Sequence, residues 1–487
     1  MSPASAATAS SPWSRTSQTK IVATVGPASA TVDKLAALIR EGVDVFRINT
    51  AHGDREGHAN YLALVREAEK KAGQPVGVLV DLGGPKMRLG FLPGGALTCN
   101  QGDTVRFVRG EVTTNPAELV CTYPTLIEEL HVGDRVMLAD GVVALQVARI
   151  EANEVECTVL QGGTVRDKQG VNLPGVKLSV ASLSDRDRAT AEWAAGAEVD
   201  FLSLSFVRRA EDVLELRQLV HQAASEVQIV AKIEKPEALS NLEGIIAVAD
   251  AVMVARGDLG VEVDIAEMAV IQKRIVKVCR ALHKPVIIAT QMLDSMHHSR
   301  LPTRAEATDV ANAILDGADA CMLSGETAVG EYPVESVQMM TRIALATEPL
   351  AREFDRAPKA VGRIAGITRV TEATAQGTVR LAEDLDAKLI VVATTSGRAA
   401  LAVSQHRSRI PAIGVSPFPA LLRRLCLYRG VIPVPDAPTN DLLSLRDFVV
   451  KNAVETGMLK RGDRIVFLSW TGKGASRHNQ ISVHEVE

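Results

Sequence analysis

The sequence predicts a (β/α)₈ barrel, interrupted by a small β-rich lid domain and followed by a smaller α/β domain. Three observations predict it: short apolar runs alternate with helical segments, a stretch of about a hundred residues breaks that alternation with hairpin patterns, and a third α/β block closes the chain. "KIVATVG" opens the series. "TVDKLAALIREG" follows as a helix, with Thr31 or Asp33 to cap it and Gly42 to end it. "VDVFRIN", a helix from about Glu56 to Ala72, and "QPVGVLVDL" come next. The break, about Lys86 to Ala181, holds Gly-rich turns and alternation such as "DTVRFVRGEV" and "NEVECTVLQGGTV". After "LSDRDRATAEWAAG" the first pattern resumes with "VDFLSLSF", "VQIVAKIE", "ADAVMVARGDLG", "KPVIIAT" and "ADACMLSGE", each trailed by a helix. Three strands before the insertion and five after it make eight βα units, the content of a (β/α)₈ barrel. An open doubly wound sheet is the alternative reading of the same pattern. The expected division is a disordered tail at 1–18, the barrel at 19–85 and 182–350, the lid at 86–181, a linker at 351–363 and the C-terminal domain at 364–487.

Composition limits the function. A chain of 487 residues with 46% hydrophobic and 23% charged residues is expected to form several globular domains. The net charge of −4 and an aromatic content of 3% argue against nucleic-acid or anionic-membrane partners. Cys99, Cys121, Cys157, Cys279, Cys321 and Cys426 form no C-x-x-C pair, and we expect reduced core thiols in a cytoplasmic protein. No apolar run is long enough to span a bilayer, and "MSPASAATASSPWSRTSQ" lacks the apolar core of a secretory signal.

Active sites of such barrels lie at the C-terminal ends of the strands. Those ends carry Arg47 and Asn49, Asp81, Ser205 and Phe206, Lys232 and Glu234, Arg256, Gly257 and Asp258, Thr290, and Ser324. Residues two apart share a strand face, so Arg47 pairs with Asn49 and Lys232 with Glu234. A single such pair is most simply a surface ion pair, but repetition around the mouth indicates a binding site. Glu234 and Asp258 are hard oxygen ligands without a His or Cys cluster, which suits Mg²⁺ or Mn²⁺ completed by water and substrate. Arg47, Lys232 and Arg88 call for an anionic, phosphorylated substrate. Metal, Lys and Arg around a phosphoryl group suit phosphoryl transfer.

These residues stand in stretches that closely resemble the pyruvate kinase family: "TKIVATVGPAS", "FRINTAHGD", "GGPKMR", "GVNLPG", "AKIEKPEAL", "MVARGDLGVE", "IIATQMLDSM", "PTRAEATDVANAILDGADACMLSGETAVGEYPVESV", "TTSGRAA" and "YRGVIPV". The resemblance runs from Lys20 to the C-terminus. It implies a mobile lid, a C-terminal regulatory domain, a cytoplasmic homotetramer and glycolytic transfer of phosphate from phosphoenolpyruvate to ADP, giving pyruvate and ATP. By resemblance Glu234 and Asp258 hold the metal, Lys232 stabilises the phosphoryl group in flight, and Arg47 holds phosphate. Gly257, Asp258 and Thr290 receive the substrate carboxylate, and water near Thr290 and Ser324 protonates the enolate. Asn49, His52 and Arg88 meet the nucleotide, whose phosphates bring a second Mg²⁺. In "TTSGRAA", Thr394, Thr395, Ser396, Gly397 and Arg398 can cradle the phosphate of an allosteric effector, or form an ordinary capped turn. The loop "SWTGKGASR" matches the family poorly and leaves the effector open.

One departure bears on cofactors. Many family members bind K⁺ through Asn, Ser and Asp side chains and a backbone carbonyl. Here Asn49 and Asp81 remain, Ala51 stands at the Ser position, and Leu82 replaces Thr. Lys86 occupies the place where K⁺-dependent members carry Glu, so its ammonium is expected to make K⁺ unnecessary. Two other classes fit the barrel mouth less well: a Mg²⁺-dependent aldolase or lyase acting on pyruvate enolate, and a catalytically inactive sugar-phosphate sensor.

Overall fold

Strands buried along their whole length, with alternate side chains turned to the interior and to the helices, dictate the architecture. The computed structural model describes residues 13, 17–351, 366–469 and 480–487. Eight parallel strands close a barrel: β1 (Lys20–Thr24), β2 (Val45–Asn49), β3 (Gly77–Asp81), β4 (Phe201–Leu204), β5 (Gln228–Ile233), β6 (Ala251–Ala255), β7 (Val286–Ala289) and β8 (Ala320–Leu323). Val22, Val45, Leu79, Phe201, Val230, Met253, Ile287 and Met322 fill the interior. Their neighbours Ile21, Phe46, Val80, Leu202, Ile229, Val252, Ile288 and Cys321 pack outward under the helices. The open doubly wound alternative is excluded by the β1–β8 pairing. Helix boundaries follow their caps. Thr31 accepts from Lys34 N and Gly42 ends that helix at φ 121°, while Thr303 and Glu306 form a reciprocal box on Arg304–Asp316.

The barrel floor has its own pattern. Asp44, Asp200, Asp250 and Asp319 each precede an even-numbered strand. Each accepts a backbone N–H from the strand before it, at Ile21, Val78, Ile229 and Val286 (2.8–2.9 Å). Cations neutralise all four acids: Lys20 at Asp44, Arg66 and Arg423 at Asp200, Arg217 at Asp250, and Arg407 at Asp319.

The inserted lid between β3 and β4 is a six-stranded sheet and a two-stranded ribbon, with a separate core that includes Phe107, Leu119 and Leu138. The C-terminal domain is a five-stranded sheet of β9 (Leu389–Ala393), β10 (Ala412–Val415), β11 (Val431–Val434), β12 (Arg464–Ser469) and β13 (Gln480–Glu485), ordered β11-β10-β9-β12-β13. Its inner core is continuous with the barrel interior.

Within 1–18, expected to be a disordered tail, the described residues Trp13, Ser17 and Gln18 are buried. Trp13 joins the outer core of the C-terminal domain and tilts against Phe448. Ser17, Gln18 and Thr19 donate to the Glu348 carboxylate, and Gln18 O accepts from Gly430 N beside β11. Residues 17–19 are held there because their donors find a buried acceptor. The rest of that tail, the linker beyond Ala351 and "WTGKGASR" lie outside the described residues. The six cysteines are free thiols, and among the described residues no helix is long and apolar enough to cross a membrane.

Candidate active site

The same period that fills the barrel with apolar side chains delivers polar ones to its mouth. Val45 is followed on the inner face by Arg47, Leu79 by Asp81, Phe201 by Ser203 and Ser205, and Val230 by Lys232 and Glu234. The ladder sets Asp81 beside Asn49 and Ser203. A buried cluster results. Arg47 Nε and Nη2 both meet Asp81 Oδ2, at 2.7 and 2.6 Å. Ser203 Oγ donates to Asp81 Oδ1 at 2.5 Å. Lys232 Nζ lies 3.6 Å from Asp81 Oδ1 and 3.2 Å from Glu234 Oε2, and donates to Ser205 Oγ at 2.6 Å.

Burial and partners compete over each charge. Burial opposes the Asp81 carboxylate, but Lys232, Arg47 and Ser203 outweigh it and bring its pKa to about 2. Burial likewise opposes the Lys232 ammonium, and Asp81, Glu234 and Asp258 hold its pKa above the ordinary value. For Glu234 burial prevails and pushes the carboxyl up. Glu234 Oε1 accepts from Phe206 N at 2.7 Å, while the buried Oε2 makes no hydrogen bond among the described residues and has the Lys232 ammonium 3.2 Å away. A buried carboxylate oxygen with lone pairs to spare, near Asp258, fits a hard divalent cation. Among the described residues no three His, Cys, Asp or Glu side chains converge on one metal position, so the rest of any shell must come from water and substrate.

The other predicted residues fall around this cluster. Gly257 and Asp258 sit in the first turn of the helix Arg256–Glu262, and Gly257 N donates to Thr290 Oγ1 at 2.7 Å. Arg256 turns away from the mouth. It pairs with Asp309 and donates to Thr290 O, holding a residue whose φ is +69°. Phe206, Thr290 and Gln291 all adopt positive φ, an accumulation of strain at one rim. Ser324 Oγ is buried without a partner among the described residues. Lys86 Nζ lies 3.6 Å from Asp258 Oδ1, and the Leu82 carbonyl already accepts from Ser205 Oγ. Asn49 Oδ1 accepts from Ala51 N, bracing its own loop.

Between mouth and lid lies a cleft of about 510 Å³, lined by His52, Lys86, Arg88, Arg166, Lys168 and Asp258 among others. Burial and then Arg88, Lys86, Arg47 and Arg186 push the His52 imidazole below its ordinary pKa, so the cleft is electropositive. Arg88 is half-buried and donates to Lys168 O in the lid.

The C-terminal phosphate loop departs from expectation. The Gly397 N–H, expected to face a phosphate, donates to the buried Thr394 hydroxyl at 3.0 Å. Both groups are thus used by the turn itself. Thr395, Ser396 and Arg398 do line a cleft of about 390 Å³ against the barrel floor, where Arg217, Lys284 and Arg424 face them.

Sequence reasoning missed the four floor acids, Ser203 and the Trp13 strap. The acids had a signal, the repeated Asp in "GVDVF", "EVDFL", "VADAV" and "GADAC", each placed just before a strand.

Comparison with known proteins agrees with this geometry. Residues 16–337 match the family model for the pyruvate kinase barrel domain, and residues 372–484 that for the pyruvate kinase alpha/beta domain. A pyruvate kinase of Geobacillus stearothermophilus is 42% identical over 473 residues, spanning 96% of this chain and 80% of its own. One from Corynebacterium glutamicum is 40% identical, spanning 96% and 97%. A crystal structure of a Cryptosporidium parvum pyruvate kinase superposes with a TM-score of 0.88 at 32% identity, covering 97% of this chain and 96% of that one. With the barrel, the lid and the C-terminal sheet all accounted for, the chain belongs to the pyruvate kinase family.

Proposed function

We propose that the buried Lys232–Asp81–Arg47–Glu234 cluster carries the family's reaction in this chain, phosphoryl transfer from phosphoenolpyruvate to ADP. A terminal phosphate oxygen of ADP attacks phosphorus, the bond to the enol oxygen breaks, and the enolate left behind takes a proton at its methylene carbon. Lys232 stays cationic throughout, because its three acidic neighbours outweigh burial, and it stabilises charge on the phosphoryl group in flight. Arg47, anchored on Asp81, presents its remaining donor capacity to phosphate. Thr290 and the Asp258 N–H receive the substrate carboxylate, and the Gly257 N–H joins them by exchanging its bond to Thr290 Oγ1 for the ligand. Ser324 Oγ, unpartnered and buried, relays the proton with Thr290. Glu234 and Asp258 would hold Mg²⁺ or Mn²⁺, which would supply positive charge to the anionic substrate. Asn49, His52 and Arg88 meet ADP in the electropositive cleft. The lid excludes water from the transfer.

Three finer readings accompany this one. The reaction does not require K⁺: Lys86 places an ammonium at the mouth, Ala51 removes a ligand, and the Leu82 carbonyl is already engaged. A phosphorylated effector binds at Thr395, Ser396 and Arg398, supported by the basic cleft they share with the barrel floor. The enzyme works as a cytoplasmic homotetramer.

The observation that carries the function is the buried Lys232 ammonium held between Asp81 and Glu234, 3.6 and 3.2 Å away, at the mouth of the barrel. ATP formation from phosphoenolpyruvate and ADP, with Mg²⁺ and without K⁺, across a panel of phosphorylated metabolites, tests it. No ATP under any condition would sink the activity. A large rise on replacing a bulky organic cation by K⁺ at constant ionic strength would sink the K⁺ reading alone.

A further inference from the structure

The lid meets the barrel through two necks, 83–86 and 178–184, and both lean on one dipeptide, Ser205–Phe206. On the outgoing neck Gly84 has φ +68°, and a Cβ there would stand 2.6 Å from Phe206 Cδ2 and 2.9 Å from Ser205 Cβ. On the return neck Ser182 Oγ donates to Phe206 O at 3.0 Å. Arg208 beside them donates to the carbonyls of Leu178 and Val180, both at 2.6 Å.

The same dipeptide holds the catalytic charges. Phe206 N donates to Glu234 Oε1, and Ser205 Oγ accepts from Lys232 Nζ. A third tie passes through the ring of Phe206. Lys235 Nζ sits 5.1 Å from the ring centroid and donates to Glu262 Oε1, which also accepts from Asn172 of the lid at 3.3 Å.

Phe206 holds φ at +58°, which is costly for a residue with a Cβ and persists only when its surroundings over-determine it. Here the surroundings are the lid necks. We infer that Phe206 is a positioning residue that makes the orientation of the Glu234 carboxylate depend on where the lid stands. With the necks in place, the Phe206 N–H is aimed at Glu234. If the return neck lets go of the Phe206 carbonyl, φ relaxes and the N–H turns away, releasing one carboxylate oxygen. The inference rests on Glu234 as a metal ligand, proposed above.

The test measures Mn²⁺ binding to the full chain without substrates, by the resonance signal of free Mn²⁺, together with amide hydrogen exchange at residues 205–207. Ser182→Ala removes a neck contact and touches no catalytic group. It should weaken Mn²⁺ by about 3- to 10-fold and speed exchange of the Phe206 amide. Phe206→Ala should weaken Mn²⁺ by about 10-fold or more. Gly84→Ala should act in the same direction from the other neck. Parental Mn²⁺ affinity and parental exchange in Ser182→Ala would overturn the coupling while Glu234→Gln still abolishes binding. Parental Mn²⁺ affinity in Glu234→Gln would instead remove the ligand assignment, and the coupling with it.

Discussion

Asp81 answers two cations from full burial, and that fixes how the site responds to acid. Its folded pKa of about 2 lies below the unfolded value near 4, so its stabilisation is present above pH 4 and is lost as pH falls toward 2. The shift corresponds to about 2 kcal/mol. Asp81→Asn should therefore lower the denaturation midpoint at pH 7, and the gap to the parent should narrow between pH 4 and pH 3. Lys232→Met should cut kcat by at least about 10²- to 10³-fold with the fold intact by circular dichroism. Lys86→Glu should lose about one to two orders of magnitude in K⁺-free buffer and recover only part with K⁺, since Ala51 leaves the site one oxygen short. At this scale the sequence was legible wherever polarity interrupts an apolar strand, as at Arg47, Asp81, Lys232 and Glu234. It was opaque at Phe206, because a phenylalanine at a strand end gives no sign of a positive φ.

Among the elements, the first turn of the helix Asp185–Gly196 joins the lid neck to the loop after β2. Asp187 Oδ1 accepts from Gly84 N at the lid neck, and Arg186 Nη2 donates to Thr50 O and Gly53 O in the loop that carries His52. Arg186→Gln should raise KM for ADP by about 3- to 10-fold and leave KM for phosphoenolpyruvate unchanged. Steady-state kinetics with each substrate varied in turn separates the two. Most helices and barrel strands could be read in advance because caps and short continuous apolar runs are local signals, as with Thr31, Thr303 and "GVLVD". The turn at Thr394–Gly397 carried two readings for a reason equally local. Thr394, Ser396 and Gly397 read alike whether their donors face a ligand or each other, and only the fold shows Gly397 N turned onto Thr394.

For the molecule as a whole, the floor acids are the junction between barrel and C-terminal domain. Arg423 reaches Asp200 and Arg407 reaches Asp319, all with little exposure. Removing one partner of a buried pair costs about 3–5 kcal/mol. Arg407→Gln with Arg423→Gln should split one calorimetric transition into two. The repeated Asp before a strand marks the acids in the chain, but these pairings could not be read from it, because the partners lie far apart in sequence. The Lys20 ammonium closes the same floor: it is 1% exposed, pairs with Asp44 and donates to Val431 O, a partner 411 residues away. That distance is also a time. At roughly 5–20 residues per second of synthesis, Lys20 waits roughly 20–80 s for its acceptor to be made. Until then the first strand of the barrel carries a lysine destined for burial, and the newborn chain must keep it in water while nearly everything it will pack against is still untranslated.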